Sequence, residues 1–342
     1  MKAAVWYGGK DFKIEELKEP EISEEQALIQ VKVAGICGSD LHAYDGSSKR
    51  RKPPLVMGHE FSGIVSKVGA KATGVAVGDR VVVNPIIACG VCEPCRTGKN
   101  HICENMRLIG LHSSGAFAEY VAVPAASCIK LPDNVSFEDA SMVEPISVGI
   151  HAAGRAGIKI GDNIVIIGPG MIGLTSLMAA KMAGAGKIFI TGANGDEGRL
   201  ALAKKLGADV TINVMQEDPV ARILAETKGG ADSVIEAVGL QRTIQQAMSM
   251  LRRGKNAIVV GLMQTDITIN AIDLTVKEIG LLGDYGYTKD DFMRALEMIA
   301  AGRANVKLLA THTFPLEEIA KGFETLSTKE GNAIKVLIKV SK

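Results

Sequence analysis

Apolar and polar residues change their rhythm once along this chain. Up to about residue 148, short runs of roughly alternating, β-branched residues stand at 27–34, 62–68, 79–83 and 118–123, and residues 1–7 read as a further strand. Alternation with period two is the mark of a strand with one buried face. Glycine-containing stretches at 69–74 and 77–79 read as turns. Long helical periods are scarce, so this part predicts an antiparallel β domain whose loops carry function. From about residue 149 six short apolar runs, at 163–167, 187–191, 209–213, 232–237, 256–262 and 279–284, are separated by helical stretches at 171–183, 197–206, 219–227, 242–251 and 272–278. Strand–helix alternation of this kind predicts the α/β class with a doubly wound parallel sheet. The last part reads as a helix at 289–301, a strand leading to Phe314, a helix at 316–326 and a strand at 333–340. The pattern thus divides the chain into 1–148, 149–285 and 286–342.

A length of 342 residues agrees with two cores rather than one. Hydrophobic residues at 47% and charged residues at 23% are those of an ordinary globular enzyme. A net charge of +1 gives no reason to expect nucleic acid or an anionic membrane as partner. Residues 1–7 carry no apolar run of signal-peptide length, and no stretch is long enough to span a bilayer. A cytoplasmic protein is expected.

Of the six cysteines, Cys37, Cys89, Cys92, Cys95, Cys103 and Cys128, four sit in one cluster spaced C-x2-C-x2-C-x7-C. Clustered thiols without a secretion signal point to metal rather than to disulfides. Cys89, Cys92, Cys95 and Cys103 can close a tetrahedral zinc shell, and with all four positions filled by protein that metal is structural. The lobe it would hold spans about 86–106.

A second, more reactive stretch is GICGSDLH at 35–42, which places Cys37, Ser39, Asp40 and His42 between glycines and a strand. A catalytic metal needs fewer protein ligands and one open position. Cys37 offers a thiolate, His59 and Glu60 an imidazole and a carboxylate just before a strand, and Glu144 a further carboxylate near the domain boundary. Each has a plainer reading: His59 as a hydrogen-bonded core residue, Glu60 as a surface acid, Glu144 as a helix-start acid. Together they describe a second metal shell.

Residues 163–174 run from strand into helix as G-x-G-x-x-G, with Gly168, Gly170 and Gly173. The glycines let backbone approach a pyrophosphate, and the helix start at Met171 and Ile172 offers unpaired N–H groups. About twenty residues on, an acid is expected to hold the ribose of NAD. Gly192 stands there instead, in a loop with Asn194, Asp196 and Arg199. Asp196 could substitute for the acid and Arg199 could meet a 2′-phosphate, or Arg199 is a solvated helix-start charge. Use of NADP as well as NAD is expected.

Residues 35–42, the GHEFSG at 58–63, the cysteine cluster and the glycine motif match, in order and spacing, those of the zinc-dependent medium-chain dehydrogenase/reductase family. The chain is similar to that family over essentially its whole length. The resemblance implies a GroES-like catalytic domain at 1–148 with a structural zinc lobe, a Rossmann domain at 149–285, and a C-terminal segment, 286–342, returning to the catalytic domain. It implies two zinc ions per chain, NAD or NADP, and hydride transfer between an alcohol and the nicotinamide, giving a ketone. Cys37 and His59 correspond to family ligands of catalytic zinc, with Glu60 or Glu144 completing the shell where the alcohol dehydrogenase branch uses a cysteine. That departure is similar to the polyol branch. Ser39 and His42 correspond to the family's proton relay, and Asp40 orients His59. Gly239, Gly261 and Leu262 end strands that face the crevice and border the nicotinamide. Alternatives to a polyol are a polyol phosphate, with the charge run at 49–52 meeting the phosphate or lying as a solvated loop, then L-threonine. A different class is a non-catalytic nucleotide-binding redox sensor. Relatives pair as dimers or tetramers through the sheet edge, and the apolar strand at 279–283 suits that role.

Overall fold

In this computed structural model, which describes residues 1–263 and 266–341, the chain forms two compact units, Met1–Glu144 with Thr288–Lys342, and Pro145–Tyr287. The first unit opens with β1 (Lys2–Gly8), β2 (Asp11–Glu16) and β3 (Gln26–Gly35), followed by the short helix α1 (Gly38–Tyr44). Next come β4 (Leu55–Val56), β5 (Glu60–Val68), β6 (Arg80–Val83) and β7 (Ile86–Ile87). A lobe with α2 (Glu93–Arg96) and β8 (Arg107–Leu108) leads to β9 (Tyr120–Pro124), β10 (Cys128–Lys130) and α3 (Phe137–Ala140). Helix α4 (Val143–Arg155) begins in this unit and continues in the second.

In the second unit β11 (Asn163–Ile167), α5 (Met171–Met182), β12 (Lys187–Gly192), α6 (Glu197–Leu206), β13 (Val210–Asn213) and α7 (Pro219–Thr227) alternate. They are followed by β14 (Ala231–Glu236), α8 (Gln241–Met250), β15 (Leu251–Val259), α9 (Ala271–Lys277) and β16 (Gly280–Gly283). The chain then returns to the first unit with α10 (Lys289–Ala300), β17 (Ala310–Pro315), α11 (Ile319–Thr328) and β18 (Lys335–Lys339).

The largest sheet of the first unit runs β10-β6-β5-β3-β18-β17, with β9 also on β3. Its pairs are antiparallel except β17–β18. Placing β18 beside β3 brings the end of the chain against residues 33–35. The core beneath it gathers Ile29, Ile36, Phe61, Phe117 and Phe323. Phe117 and Phe323 meet edge to face at 6.0 Å between centroids, a favoured aromatic geometry.

The second unit holds one parallel sheet ordered β13-β12-β11-β14-β15-β16. Its strands read as near-continuous apolar runs because helices cover both faces: Ile164, Val165, Ile166 and Ile167 are all buried. Helix starts follow local chemistry. Asp218 accepts from the N–H groups of Val220 and Ala221, and Pro219 takes the first helical turn, where its missing N–H costs nothing.

The structure departs from the pattern reading in places. Helix α1 is too short to show a period, and α4 was hidden by an apolar sequence that straddles the expected boundary. Strand β2 lacks a buried face, since its residues are exposed or half-buried. Strand β15 starts five residues earlier than expected because Leu251–Val259 continues straight from α8. Among the described residues no helix is long and apolar enough to cross a membrane.

Candidate metal and cofactor sites

Strand β3 delivers Cys37 to the start of α1. The Cys37 N–H donates to Asp40 Oδ2 at 3.0 Å, so the acid three residues into the helix fixes the backbone that carries the thiol. Across the sheet Gly35 faces Glu60; a Cβ on Gly35 would fall 2.3 Å from Glu60 Oε2. Glycine there makes room for the carboxylate. His59 precedes β5 directly, and ligand atoms of Cys37, His59 and Glu60 all lie within 4.8 Å of one another. A thiolate, an imidazole and a carboxylate at that spread fit a divalent zinc-like ion with a position left open. The half-buried Cys37 leaves the cluster accessible.

Two buried ion pairs flank it. His59 Nδ1 lies 3.5 Å from Asp40 Oδ1, which leaves the other ring nitrogen for a metal. Asp40 in turn accepts from Arg51 Nη2 at 2.6 Å. Burial opposes ionisation of Asp40, but Arg51 and His59 outweigh it and hold the carboxyl at about 2. Burial likewise works against a charged His59, and Asp40 and the Cys37 thiol more than offset it, raising the imidazole well above its ordinary value. Arg51 also donates to Ser39 O at 2.7 Å, Ser39 Oγ at 3.3 Å and Gly110 O at 3.3 Å. On the other side Lys335 Nζ donates to Ile36 O at 2.9 Å and to both oxygens of Glu60 at 2.8 and 2.6 Å. Burial disfavours that ammonium, yet Glu60, Cys37 and Glu144 together raise its pKa.

Glu144, buried on α4, lies outside the Cys37–His59–Glu60 cluster while its charge reaches Lys335. Ser39 and His42 sit one turn apart on α1, on the same side of the helix. His42 Nδ1 meets Ser47 Oγ at 3.0 Å. Of the basic run at 49–52, Lys49, Arg50 and Lys52 are exposed, but Arg51 is buried. The reading of the run as a solvated or phosphate-facing loop is corrected for Arg51 alone, which points inward because Asp40 and three backbone or hydroxyl oxygens capture its guanidinium.

The four-cysteine lobe gathers its sulfurs at 3.4 Å (Cys92–Cys95), 3.8 Å (Cys92–Cys103) and 4.0 Å (Cys89–Cys95). Tetrahedral zinc with Zn–S of about 2.3 Å needs sulfurs roughly 3.8 Å apart, so the residues fit the ion. The N–H groups of Val91 and Cys92 pull the Cys89 thiol down to about 6.

At the turn from β11 to α5, Gly168 has φ +101° and its carbonyl would lie 1.8 Å from a Cβ on Gly173. Nothing lies within 4 Å of a Cβ on Gly170, the N-cap, so the helix start is open for a pyrophosphate ahead of Met171 and Ile172. Gly192 ends β12 beside Pro169 and Asp196, where a Cβ would meet them at 3.0 and 3.1 Å. Asp196 accepts from the Ala193 N–H at 3.1 Å, and Asn194 Oδ1 accepts from Asn213 Nδ2 at 3.1 Å. Arg199 is not the solvated charge of the alternative reading; it is buried 3.8 Å from Asp196, and burial lowers its pKa while Asp196 opposes that. Gly239, Gly261 and Leu262 lie beyond their strands rather than at the ends, since β14 stops at Glu236 and β15 at Val259. The loops bend there because Glu236 O takes the N–H groups of both Val260 and Gly261.

Sequence reasoning missed Arg51, Lys335 and Glu236 as parts of these sites. Lys335 gave no signal, for in β18 it and Lys339 sit at the same alternation phase, one buried and one exposed. Glu236 could have been found as an acid that follows the apolar pair Val234 and Ile235 and closes the strand.

Known proteins match this chain over nearly its whole length. Residues 23–133 match the alcohol dehydrogenase GroES-like domain, and 172–301 match the zinc-binding dehydrogenase domain. The chain is 36% identical to L-idonate 5-dehydrogenase of Vitis vinifera, over 98% of this chain and 93% of the relative. It is 35% identical to sorbitol dehydrogenase of Bacillus subtilis, over 99% and 97%. The structure superposes on 2R,3R-butanediol dehydrogenase from Bacillus subtilis with a TM-score of 0.91 and 33% identity, covering 99% of both chains.

Proposed function

The chain belongs to the zinc-dependent medium-chain dehydrogenase/reductase family, and from that premise we propose that it oxidises a secondary alcohol of a polyol or sugar acid to a ketone with NAD or NADP. The observation that carries the substrate class is the donor set: Cys37, His59 and Glu60 lie together, with no second thiolate in that cluster among the described residues, and the charge of the buried Glu144 reaches the same Lys335 that holds Glu60. An oxygen-rich shell tolerates further oxygen ligands and so suits vicinal hydroxyls.

Cys37 and His59 would hold the zinc, which supplies a Lewis acid that eases loss of the substrate hydroxyl proton. Asp40 orients the His59 ring, and Arg51 fixes Asp40 and the Ser39 backbone in one clamp. Both oxygens of Glu60 are engaged by Lys335, which favours Glu144 as the exchangeable carboxylate. Ser39 Oγ would accept the hydroxyl proton while giving up its own to the relay, and His42, half-buried one turn on, would hand a proton on to water. NAD or NADP, when bound, would supply the acceptor for the hydrogen and electron pair of the carbinol C–H bond, so that the C=O bond forms as the O–H and C–H bonds break. Gly168, Gly170 and Gly173 would cradle the pyrophosphate, with Met171 and Ile172 supplying helix-start N–H groups. The loop at Gly192, Asn194 and Arg199 would surround the adenosine ribose, and without an acid at Gly192 a 2′-phosphate meets no repulsion there. Gly239, Gly261 and Leu262 would border the nicotinamide.

The enzyme acts in the cytoplasm as a dimer or tetramer on this reading, paired along β16, the edge strand of its sheet. Exposed Lys49, Arg50 and Lys52 favour a phosphorylated polyol as second reading. The test is a spectrophotometric screen of sugar alcohols, their phosphates, diols, sugar acids and threonine with both cofactors. Turnover of polyols is expected; a zinc-loaded protein that oxidises threonine alone, or nothing, sinks the proposal.

A further inference from the structure

Glu236 closes β14, next to β11, at the point where the strand order of the parallel sheet reverses. In open α/β sheets ligands bind outside the carboxyl ends of the strands at that point. The side chain is fully buried. Three donors converge on its Oε1: the N–H groups of Val238 and Gly239, each at 2.9 Å, and the Thr243 hydroxyl at 2.7 Å. Its main-chain carbonyl takes the N–H groups of Val260 at 2.9 Å and Gly261 at 3.0 Å. One residue thereby ties the loop after β14 to the loop after β15.

The two loops are close enough to demand glycine at their crossing. A Cβ on Gly261 would fall 2.3 Å from Gly239 N and 2.7 Å from Glu236 Oε2. Oε2 has no hydrogen-bond partner among the described residues, a state that costs free energy in a buried site. The Val238 side chain reaches the dinucleotide turn, where a Cβ on Gly168 would lie 2.6 Å from its Cγ2. Held this way, the loops leave Val238, Leu240 and Leu262 exposed at 42%, 58% and 38%. They form an apolar shelf beside the glycine turn, suited to a flat, weakly polar ring.

We propose that Glu236 is a positioning residue for the nicotinamide end of the cofactor: by binding both loops it sets the shelf on which the ring rests. This rests on the reading of the second unit as the dinucleotide holder. The test compares NADH, by fluorescence titration, with ADP-ribose, by calorimetry, on the zinc-loaded full chain. Glu236→Ala is expected to weaken NADH about tenfold, the size of one lost hydrogen-bond node, and ADP-ribose less than about twofold. Glu236→Gln keeps the acceptor and should lose less than about fivefold; Gly261→Ala, which displaces the carboxyl, should resemble Glu236→Ala. Unchanged NADH affinity, or equal losses for NADH and ADP-ribose, overturns the proposal. Should Glu236→Ala fail to fold, Glu236→Gln and Gly261→Ala carry the same comparison. A wild-type chain that binds neither ligand would instead remove the cofactor reading beneath it.

Discussion

Lys335 Nζ bridges both carboxylate oxygens of Glu60, at 2.8 and 2.6 Å, with each side chain buried and the two residues 275 positions apart in sequence. The chain's last strand therefore neutralises an acid placed beside the candidate metal ligands. Breaking a buried pair leaves an uncompensated charge, which costs more than the pair itself contributes.

Lys335→Met is accordingly expected to destabilise the protein by about 3–5 kcal/mol, and adding Glu60→Gln should recover part of that loss. Urea unfolding of the two variants measures both. Equal stability of Lys335→Met and wild type would show that Glu60 has another counter-charge.

Arg51 acts at the opposite flank. Arg51→Ala frees Asp40 and loosens the Ser39 backbone, so metal retention or kcat should fall about 10–100-fold, as for other groups that orient metal ligands. Arg51→Lys keeps the charge but loses the fork of donors and should fall between the two. Metal content by elemental analysis and steady-state rates decide; full activity of Arg51→Ala would contradict the clamp.

Chelation should release thiols selectively. With metal removed at about pH 8, Cys89, whose thiol is held down to about 6, becomes the first thiol of the lobe open to a colorimetric reagent, while burial and the neighbouring thiols that push Cys95 up to about 12 keep it slow. Cys128 stays silent, because desolvation pushes its thiol up to about 12. Rapid labelling of Cys128 in the folded protein would refute that.

Acid sensitivity should trace in part to Asp232. Burial raises its pKa, but the Asn163 N–H, Arg252 and Lys255 together bring it below the ordinary 3.8. A lowered folded pKa gives stability that is present above the unfolded value and is lost as pH falls through the folded one. Thermal unfolding of wild type should therefore decline below about pH 4, while Asp232→Asn shows a flatter slope there. Parallel slopes would exclude the group.

The glycine turn and the cysteine lobe were legible because their chemistry is local. Spacing alone brings Cys89, Cys92, Cys95 and Cys103 within bonding distance of one ion, and strand-turn-helix order alone forms the cradle at Gly168–Gly173. The alternation of the second unit was readable for the same reason, since each strand and helix announces itself by its own period. Elements without a period, α1 and β2, were not.

By itself, then, the sequence determined the family and the α/β class, and it named the residues of two candidate donor sets and of a glycine-rich strand-to-helix turn. Tertiary structure decided how the charges among them are settled. That Arg51 turns inward while Lys49, Arg50 and Lys52 stay in solvent depends on Asp40 and Gly110 lying around it. That Lys335 is buried while Lys339 is exposed depends on Glu60 standing across the sheet. Burial makes an unpaired charge costly, so each buried acid selects its partner by proximity in the folded chain, and no periodicity along the chain records that choice.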